Sequence, residues 1–224
     1  MTHDLDRPVA ASLTGHHSHF AVRHGRAVRY QTDFAVFAAL DDPEDPSAWA
    51  DAVRLLQPDT PFVIPGAYHW PADWEPVRLL SGLQLVGTGV APEPDAEAVV
   101  LTKDDVPEIL DLIARTDPGP FRPRTVELGT YLGIRRDGAL IAMAGERMRL
   151  PGWTEISAVC TDPAHRGQGL AARLVRAVAA GIADRDETPF LHVAAANENA
   201  VRLYEKLGFT LRRPMPFAIL THNG

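Results

Sequence analysis

The sequence predicts an α/β (α+β) fold around a mixed sheet. After residue 100, apolar strand-like segments alternate with helical ones in the order β-hairpin, β, α, β, α, β. A glycine-containing loop, "TDPAHRGQG" at residues 161–169, separates one of these strands from the helix behind it. The chain of 224 residues is long enough to bury a core as one large domain or as two small ones.

Proline-rich segments interrupt the first 95 residues, where periodicity still predicts several elements. The expected elements are strands over residues 33–40, 61–64 and 77–86, and a helix over residues 47–56 with Ser47 as its N-cap. Residues 87–100 are rich in glycine, proline and acidic residues and show no periodicity. They indicate a boundary, so we predict an N-terminal lobe over residues 1–95 and a second domain over residues 96–224.

The second half carries clearer signals. Thr102 is expected to cap a helix whose first turn is acidic, and Asp137-Gly138 is a strong hairpin signal between two strands. The other expected elements are a strand over residues 153–161, a helix over 170–183, a strand over 189–196, a helix over 197–207, and one or two closing strands.

Composition disfavours several classes of protein. The first 100 residues hold 6 Lys/Arg against 14 Asp/Glu and the rest hold 16 against 15, so neither half has the basic excess of a nucleic-acid binder. We see no signal peptide and no apolar run long enough for a membrane span, and we expect a cytoplasmic protein. The single cysteine, Cys160, excludes an internal disulfide and a multi-cysteine metal site. The histidines in "HHSH", residues 16–19, lack spaced carboxylate or cysteine partners, so we expect a flexible polar N-terminus and no metal.

Two glycines in the loop, Gly167 and Gly169, admit three interpretations. With Ala172 they formally match the dinucleotide-binding fingerprint, but a polar segment follows the strand and the next strand carries no acidic residue. They could also be purely structural residues of a tight loop. In the third interpretation they let backbone N–H groups converge with the free amides of the helix N-terminus. The helix dipole and Arg166 would then favour a pyrophosphate there.

Two segments of the second half carry motifs in a specific order and spacing. The first, "EISAVCTDPAHRGQGLAARLV", contains the pattern (Q/R)xxGx(G/A) at Arg166, Gly169 and Ala171. The second, "FLHVAAANENAVRLYEKLGF", contains NxxAxxxYxxxGF at Asn197, Ala200, Tyr204, Gly208 and Phe209. Together they resemble the GNAT superfamily of acetyl-CoA-dependent N-acetyltransferases, most closely its FR47-like branch. The resemblance covers about residues 100–220 and implies a GNAT-like fold, a mixed, mostly antiparallel central sheet flanked by helices. The N-terminal half would be a degenerate acetyltransferase-like lobe or a cap on the acceptor site.

The resemblance also implies where acetyl-CoA, the co-substrate, binds. Its pantetheine would lie along the strand before the loop, its pyrophosphate would lie against the loop and the helix N-terminus, and Asn197 would contact it at the next helix. The implied donor-binding residues are Val159, Cys160, Thr161, Arg166, Gly167, Gln168, Gly169, Leu170, Ala171 and Asn197.

In this family the acetyl group passes directly to an amine, which implies an acid and a base. Tyr204 would protonate the departing thiolate, since a phenol with a pKa of about 10 can do so; the alternative is a core tyrosine. Glu155 would be one candidate base, because partial burial would raise its pKa; it could instead be an exposed strand-start glutamate. His192 is the rival base, or else a satisfied histidine on the sheet. Glu146 is a more distant candidate.

The strand before the loop has two further implied features. A backbone N–H at Val159 or Cys160 would hold the oxyanion that forms during transfer. An acyl-cysteine intermediate at Cys160 is disfavoured, because a strand cysteine is usually a small buried hydrophobe.

We therefore expect an N-acetyltransferase that acts on a primary amine of a small-molecule or amino-acid-like acceptor, with no nucleic-acid or membrane partner. One alternative is a protein N-terminal or lysine acetyltransferase, which would need an open cleft. The other is a non-catalytic acyl-CoA-binding sensor, which needs neither Tyr204 nor a base. Tyr68, Trp70 and Trp74 could line an acceptor pocket or pack within a surface loop.

Overall fold

The computed structural model describes residues 3–66 and 69–223, and the predicted mixed α/β fold is confirmed. The strands are β1 (Ala21–His24), β2 (Ala27–Tyr30), β3 (Ala38–Leu40), β4 (Phe62–Pro65), β5 (Trp74–Leu80), β6 (Gly82–Val86), β7 (Val99–Leu101), β8 (Tyr131–Arg136), β9 (Ala139–Leu150), β10 (Trp153–Thr161), β11 (Thr188–Ala194), β12 (Thr210–Pro214) and β13 (Phe217–His222). The α-helices are α1 (Pro8–Thr14), α2 (Pro46–Val53), α3 (Val106–Thr116), α4 (Leu170–Ala183) and α5 (Glu198–Lys206).

The largest sheet has seven strands in the order β12-β6-β11-β10-β9-β8-β7. All neighbours in it are antiparallel except β10 and β11, which are parallel because α4 crosses over between them. One face packs on α4 and α5 through a cluster that includes Leu174, Val178 and Leu207. The opposite face packs on α3 in one region and on the first half of the chain in another.

The first half of the chain forms two smaller sheets, β1-β2-β3 and β4-β13-β5. A parallel bridge between Phe37 and Val63 joins them. Helix α2 covers this region with Ala48, Trp49 and Ala52, which pack in one cluster with Phe62. The helix buries a single apolar face, as expected for a short amphipathic helix.

One antiparallel ribbon links the two halves of the chain. Residues 74–86 and 210–222 run side by side, from the Trp74–His222 pair to the Val86–Thr210 pair. At one end β6 is the inner strand and pairs with β11; at the other end β13 is the inner strand and pairs with β4. Each half therefore supplies a strand to the other half's sheet, and the predicted division at residue 95 stays a prediction.

Three local predictions in the first half are wrong in detail. The strand expected over 33–40 is limited to β3, because the backbone before it bonds to a loop: the Phe34 carbonyl accepts a hydrogen bond from Thr125 Oγ1 at 2.7 Å. The strand expected over 77–86 is two strands, β5 and β6, which join different sheets. The helix begins earlier than expected, because Asp45 rather than Ser47 is the N-cap and Pro46 occupies the first turn.

The N-terminus is folded rather than flexible. Helix α1 buries Val9 and Leu13 against the first half's core, and the segment behind it packs His17, only 4% exposed, beside Tyr30. The Tyr30 hydroxyl donates to Ser12 Oγ at 2.8 Å and lies 3.0 Å from His17 Nδ1. This hydrogen-bonded group explains the buried histidine that composition alone placed in a polar tail. Among the described residues, no helix has the length and apolar character needed to cross a membrane.

Acidification is expected to destabilise the fold through His17. Burial lowers the pKa of His17 from 6.5 to about 4, so between these values the unfolded chain binds a proton that the folded chain excludes. This contribution to stability is complete above about pH 6.5 and is lost as the pH falls toward 4, by up to about 3 kcal/mol. Urea unfolding at about pH 7.5 and about pH 5 should show a weaker pH dependence for His17→Gln than for the wild type. The exposed neighbour His16→Gln is the control; equal pH dependence in all three proteins would refute the assignment.

Candidate active site

The loop after β10 is built to leave backbone amides uncovered. Asp162 caps a short 3-10 turn, and Gly167 and Gly169 then adopt φ values of 79° and 74°, which few residues other than glycine reach. A Cβ at either glycine would meet nothing within 4 Å, so the space in front of the loop is open. Helix α4 begins directly behind it, with its first amides free of helical partners. Leu170 is buried in the core, so only its backbone faces the loop.

A bulge interrupts β10 just before this loop. Ser157 pairs with Gly145 and Cys160 with Met143, so two residues of β10 oppose one residue of β9 between them. Ala158 in the bulge has φ 52°, an unusual value for a residue with a Cβ. The bulge puts the Val159 side chain toward α4 and the Cys160 side chain toward α3.

The parallel strands β10 and β11 separate below this loop. Within the described chain, they pair only at residues Trp153–Glu155 and Thr188–Phe190. Both strands continue past the last of these pairs. A slot therefore opens between residues 156–161 and residues 191–194, and it leads toward the glycine loop. The Thr161 hydroxyl, at the end of β10, is buried with no hydrogen-bond partner. Strand separation leaves one edge of β10 able to bond a ligand backbone or amide.

A buried ion pair closes the narrow end of the slot. The Arg147 guanidinium donates from Nε and Nη2 to the two carboxylate oxygens of Glu155, at 2.8 and 2.6 Å. Glu155 is 0% exposed, and the Arg147 guanidinium stacks 4.6 Å above the Phe37 ring. Burial alone would raise the pKa of Glu155, but Arg147 outweighs it and lowers the pKa to about 2.

His192 continues this network toward the first half of the chain. Its Nδ1 lies 2.7 Å from Glu155 Oε1, and its Nε2 lies 3.1 Å from the Gln84 amide nitrogen. That amide also donates to the Leu5 carbonyl, and the Gln84 oxygen accepts from Arg212. Since an amide nitrogen only donates, the network assigns the proton of a neutral imidazole to Nδ1 and the lone pair to Nε2.

The prediction of a partly buried or exposed Glu155 with a raised pKa is therefore wrong. His192 has hydrogen-bond partners that a free base would lack. Glu155 is neither exposed nor raised in pKa, because Arg147 holds it as a carboxylate with both oxygens engaged. Its position on β10 gave no sign of this partner, which lies on β9. His192 is hydrogen-bonded at both ring nitrogens, as in the satisfied histidine that was the alternative interpretation.

The second motif places Tyr204 in the core beside α4 and Gly208 against Gly89. Tyr204 is 8% exposed, packs edge-on against Phe209, and belongs to the same cluster as Leu174. Burial raises the pKa of Tyr204, and the nearby Cys160 adds to this effect, so the phenol keeps its proton. Gly208 has φ 100°, and a Cβ there would overlap the Gly89 carbonyl. Close packing of two chain segments therefore requires this glycine.

Asn197 has a role that the sequence did not predict, whereas Cys160 is the buried strand cysteine that was expected. The Asn197 side-chain oxygen accepts a hydrogen bond from the Ala200 amide at 3.1 Å and so caps α5. Asn197 is exposed to solvent. The Cys160 thiol lies in the core against α3, where burial raises its pKa to about 11. A thiol that stays protonated at neutral pH is a poor nucleophile.

The remaining candidate residues lie apart from the slot. Glu146 forms an ion pair with Arg185 at 3.0 Å, just beyond the end of α4. Trp74 is buried in the first half's core beside Trp49 and Phe62, and Trp70 packs against the same cluster. Trp70 matches the interpretation as packing within a surface loop, Trp74 begins β5 and matches neither interpretation, and Tyr68 lies outside the described residues.

Three residues of the network were missed by the sequence analysis: Arg147, Gln84 and Arg212. A glutamine inside the apolar segment "LLSGLQLV" was the available signal, since a polar side chain in a buried strand requires partners. The sequence around Arg147 gave no sign of a buried partner, because the pairing of Arg147 with Glu155 depends on a register shift in β9.

Comparisons with known proteins agree with this fold. The family described as FR47-like protein matches residues 131–217. A GNAT-family protein from Novosphingobium aromaticivorans DSM 12444 is 42% identical over 100% of both chains, with a TM-score of 0.90. A GCN5-related N-acetyltransferase from Kribbella flavida is 20% identical over 98% of this chain and 95% of its own, with a TM-score of 0.63. A GNAT-family acetyltransferase from Colwellia psychrerythraea is 13% identical over 89% and 82% of the two chains, with a TM-score of 0.55.

The diverging parallel strands, the bulge and the glycine loop lie in the sheet of a mixed α/β protein. Among curated proteins, none matches the chain. The full-length similarity at 42% identity nevertheless shows the family: the chain belongs to the GNAT family of acetyltransferases, with an FR47-like region.

Removing Arg147 is expected to destabilise the protein strongly. Arg147→Met leaves the buried Glu155 carboxylate without its counter-ion, which typically costs about 3–5 kcal/mol. The double variant Arg147→Met/Glu155→Gln removes both charges and should recover much of that loss, because the amide can still accept from His192. Urea unfolding of the wild type, both single variants and the double variant gives the coupling free energy. A single Arg147→Met variant as stable as the wild type would contradict the structure of this pair.

Proposed function

We propose that the protein transfers an acetyl group from acetyl-CoA directly to a primary amine of a small-molecule or amino-acid-like acceptor. The observation that carries the proposal is the slot between β10 and β11 that leads to an open glycine loop at the start of α4. Its two ends match the two ends of the donor, a pantetheine that bonds to an extended strand and a pyrophosphate that binds free amides.

The residues of the slot fit this donor. The backbone of Val159, Cys160 and Thr161 would bind the pantetheine, and the orphan Thr161 hydroxyl offers a further hydrogen bond. The loop residues Arg166 to Ala171 would bind the pyrophosphate. The oxygen of Asn197 is committed to the helix cap, so its NH2 group is the part that would contact the donor. When bound, acetyl-CoA supplies an acyl group activated as a thioester.

Tyr204 is the proposed acid. Burial raises the pKa of Tyr204 and keeps the phenol protonated at neutral pH, and its side chain packs in one cluster with Val159 of β10. A neutral phenol next to the donor strand can give its proton to the departing thiolate sulfur. The buried surroundings also exclude water from this proton transfer.

His192 is the proposed base in preference to Glu155. Glu155 has a pKa of about 2 and no free oxygen, whereas the lone pair of His192 lies on Nε2. Glu155 would fix the imidazole orientation through Nδ1. An acceptor ammonium that displaces the Gln84 amide from Nε2 would form a stronger, charge-assisted hydrogen bond and then lose its proton to the imidazole.

A closed acceptor side supports a small acceptor over a polypeptide. The face of the sheet that carries Glu155 and His192 is covered by the first half of the chain together with β13. Phe37 covers Arg147, and Phe217 packs edge-on against His192 with 5.3 Å between ring centroids. An extended peptide would require this cover to be open.

The first half is proposed to be both a degenerate acetyltransferase-like lobe and the cap on the acceptor side. Its order β3, loop, α2, β4 repeats the order β10, loop, α4, β11, and Phe37 and Val63 form a parallel bridge as Glu155 and Phe190 do. The corresponding cavity, about 280 Å³, is lined by Asp41, Asp42 and Glu44 in place of a glycine loop. Carboxylates there would repel a pyrophosphate, so the donor site is assigned to the second half only.

Turnover with an amine panel tests the proposal. We expect the protein to release free CoA thiol from acetyl-CoA with at least one acceptor among free amino acids, polyamines, N-terminal peptides and lysine peptides, well above hydrolysis without an amine. Preference for small amines would support the closed acceptor side, and preference for peptides would favour a protein acetyltransferase. Acetyl-CoA binding by calorimetry with no turnover on any amine would instead support a donor-binding sensor.

Tyr204→Phe is expected to lower kcat by about 10- to 100-fold and to leave acetyl-CoA affinity unchanged, because the phenol acts only on the leaving thiolate. Steady-state kinetics with the best amine, together with calorimetry of acetyl-CoA, separates these effects. Gly169→Val is the comparison variant and should have the opposite effect. It is expected to weaken acetyl-CoA binding, because a valine strains the loop at this positive φ. A Tyr204→Phe enzyme with wild-type kcat would remove the phenol from the mechanism.

A further inference from the structure

Gln84 is a polar residue buried inside the largest sheet. It lies on β6, directly opposite His192 of β11 on one side and Arg213 of β12 on the other. The residue is 0% exposed, so bulk water does not complete the hydrogen bonds of its side chain. A glutamine buried in this way needs partners within the fold, and the choice of those partners is informative.

The Gln84 amide is held in one orientation from both ends. Its NH2 group donates to the Leu5 carbonyl at 2.8 Å and lies 3.1 Å from His192 Nε2. Its oxygen accepts from Arg212 Nη1 at 2.8 Å. A rotation of the amide by half a turn would place its oxygen against the Leu5 carbonyl and its NH2 group against the guanidinium. The donor side of the amide is therefore fixed toward the imidazole.

A bulge in β12 brings Arg212 to this amide. The register of β12 against β6 shifts between Leu211 and Arg213, so Arg212 is the extra residue. Successive residues of a regular strand point to opposite faces. Here both Arg212 and Arg213 reach Asp6 Oδ1, at 2.6 and 3.0 Å. Asp6 thus anchors one end of the Arg212 guanidinium, and the other end is free to bind the Gln84 oxygen.

Two opposing influences act on the protonation of His192. The Glu155 carboxylate lies 2.7 Å from Nδ1 and favours an imidazolium ring. The Gln84 amide opposes a proton on Nε2, because the N–H of an imidazolium would face the N–H groups of the amide. Charged and aromatic side chains around this group are Arg147, Arg212, Asp6, Phe190 and Phe217. The two arginines add positive charge and act in the same direction as the amide.

We propose that Gln84, oriented by Arg212, is a positioning residue that keeps Nε2 of His192 unprotonated until the acceptor amine arrives, a role that rests on the proposed acetyl transfer. Glu155 by itself favours a proton on Nε2, and a ring that already carries this proton cannot act as a base. The amide offers N–H donors at the place where an acceptor ammonium would offer its own. Exchange of one donor for the other leaves the lone pair available, and the ammonium then gives its proton to Nε2.

Gln84→Met tests this role, because it removes the amide and keeps a side chain of similar length. Long-range 1H–15N NMR of protein labelled at its histidines reports the protonation of each ring nitrogen, and His192→Gln identifies the His192 signals. In Gln84→Met we expect Nε2 to take up its proton about one pH unit higher than in the wild type, as for one lost constraint of hydrogen-bond strength. The acid limb of kcat/KM for the best amine, which reports the free enzyme, should move upward by the same amount.

Arg212→Met and Arg213→Met form a matched pair that carries the test if Gln84→Met does not fold. Both remove an arginine that binds Asp6, but only Arg212 contacts the Gln84 amide. Arg212→Met should shift the NMR midpoint and the acid limb in the same direction by a smaller amount, because the Leu5 carbonyl still holds the NH2 group. Arg213→Met should leave both unchanged.

The outcomes separate the role of Gln84 from the function on which it rests. If the wild type turns over an amine and Gln84→Met moves neither the NMR midpoint nor the acid limb, the role of Gln84 is refuted and acetyl transfer stands. A lower kcat/KM at every pH with an unmoved midpoint also overturns it, as a purely structural effect. Equal shifts in Arg212→Met and Arg213→Met refute the part assigned to Arg212. If the wild type acetylates no amine of the panel, the proposed function fails and the role of Gln84 in it fails too, whatever the NMR midpoint.

Discussion

The antiparallel ribbon formed by residues 74–86 and 210–222 is the constraint on which the rest of the structure depends. Each strand of the ribbon is inner in one sheet and outer in the other, so neither half has a complete sheet by itself. The crossing brings Gln84 to His192 from one strand and Phe217 to the same ring from the other. The environment of the proposed base therefore includes Gln84 from the first half of the chain, although every motif residue lies in the second.

Two opposing effects meet at Glu155, and their balance decides which residue can act as a base. Removal of a carboxylate from water favours its neutral form, by several kcal/mol in a dry interior. The bidentate Arg147 guanidinium and the His192 ring outweigh that cost, and the pKa falls to about 2. Glu155 is consequently an anion that orients the imidazole. From the sequence, burial suggested a raised pKa for Glu155. The pKa is lowered instead, because the Arg147 counter-ion outweighs the effect of burial.

Local patterns predicted the second half well because its signals are local. The hairpin at Asp137-Gly138, the Thr102 cap and helix α4 follow from residues within a few positions of each other. The motifs led to the family, and the loop has the open, positive-φ glycines that an anion site requires. These features needed no knowledge of distant contacts.

The features that sequence analysis missed depend on distant partners or on register. A shift in β9 decides that Arg147 meets Glu155, and no periodicity of the strand reports it. The apolar segment 77–86 looks like one strand because its hydrophobicity is continuous, yet Ser81 divides it between two sheets. The N-terminal histidines indicate a polar segment by composition. His17 is nevertheless buried, because it is hydrogen-bonded to the Tyr30 hydroxyl, which also bonds to Ser12. In each case the decisive neighbour lies on another element.

The strand exchange also has a consequence for biosynthesis. A ribosome completes β6 before either of its neighbours, β11 and β12, has been made, so Leu85 has no sheet to join while the chain grows. The sheet β4-β13-β5 of the first half is also incomplete at that stage, because β13, which ends at His222, lies between β4 and β5. Both lobes must then close together once β13 has been made, through contacts of high sequence separation that form slowly. Ala218 and Leu220 of this late strand are thus part of the core of the lobe that was made first.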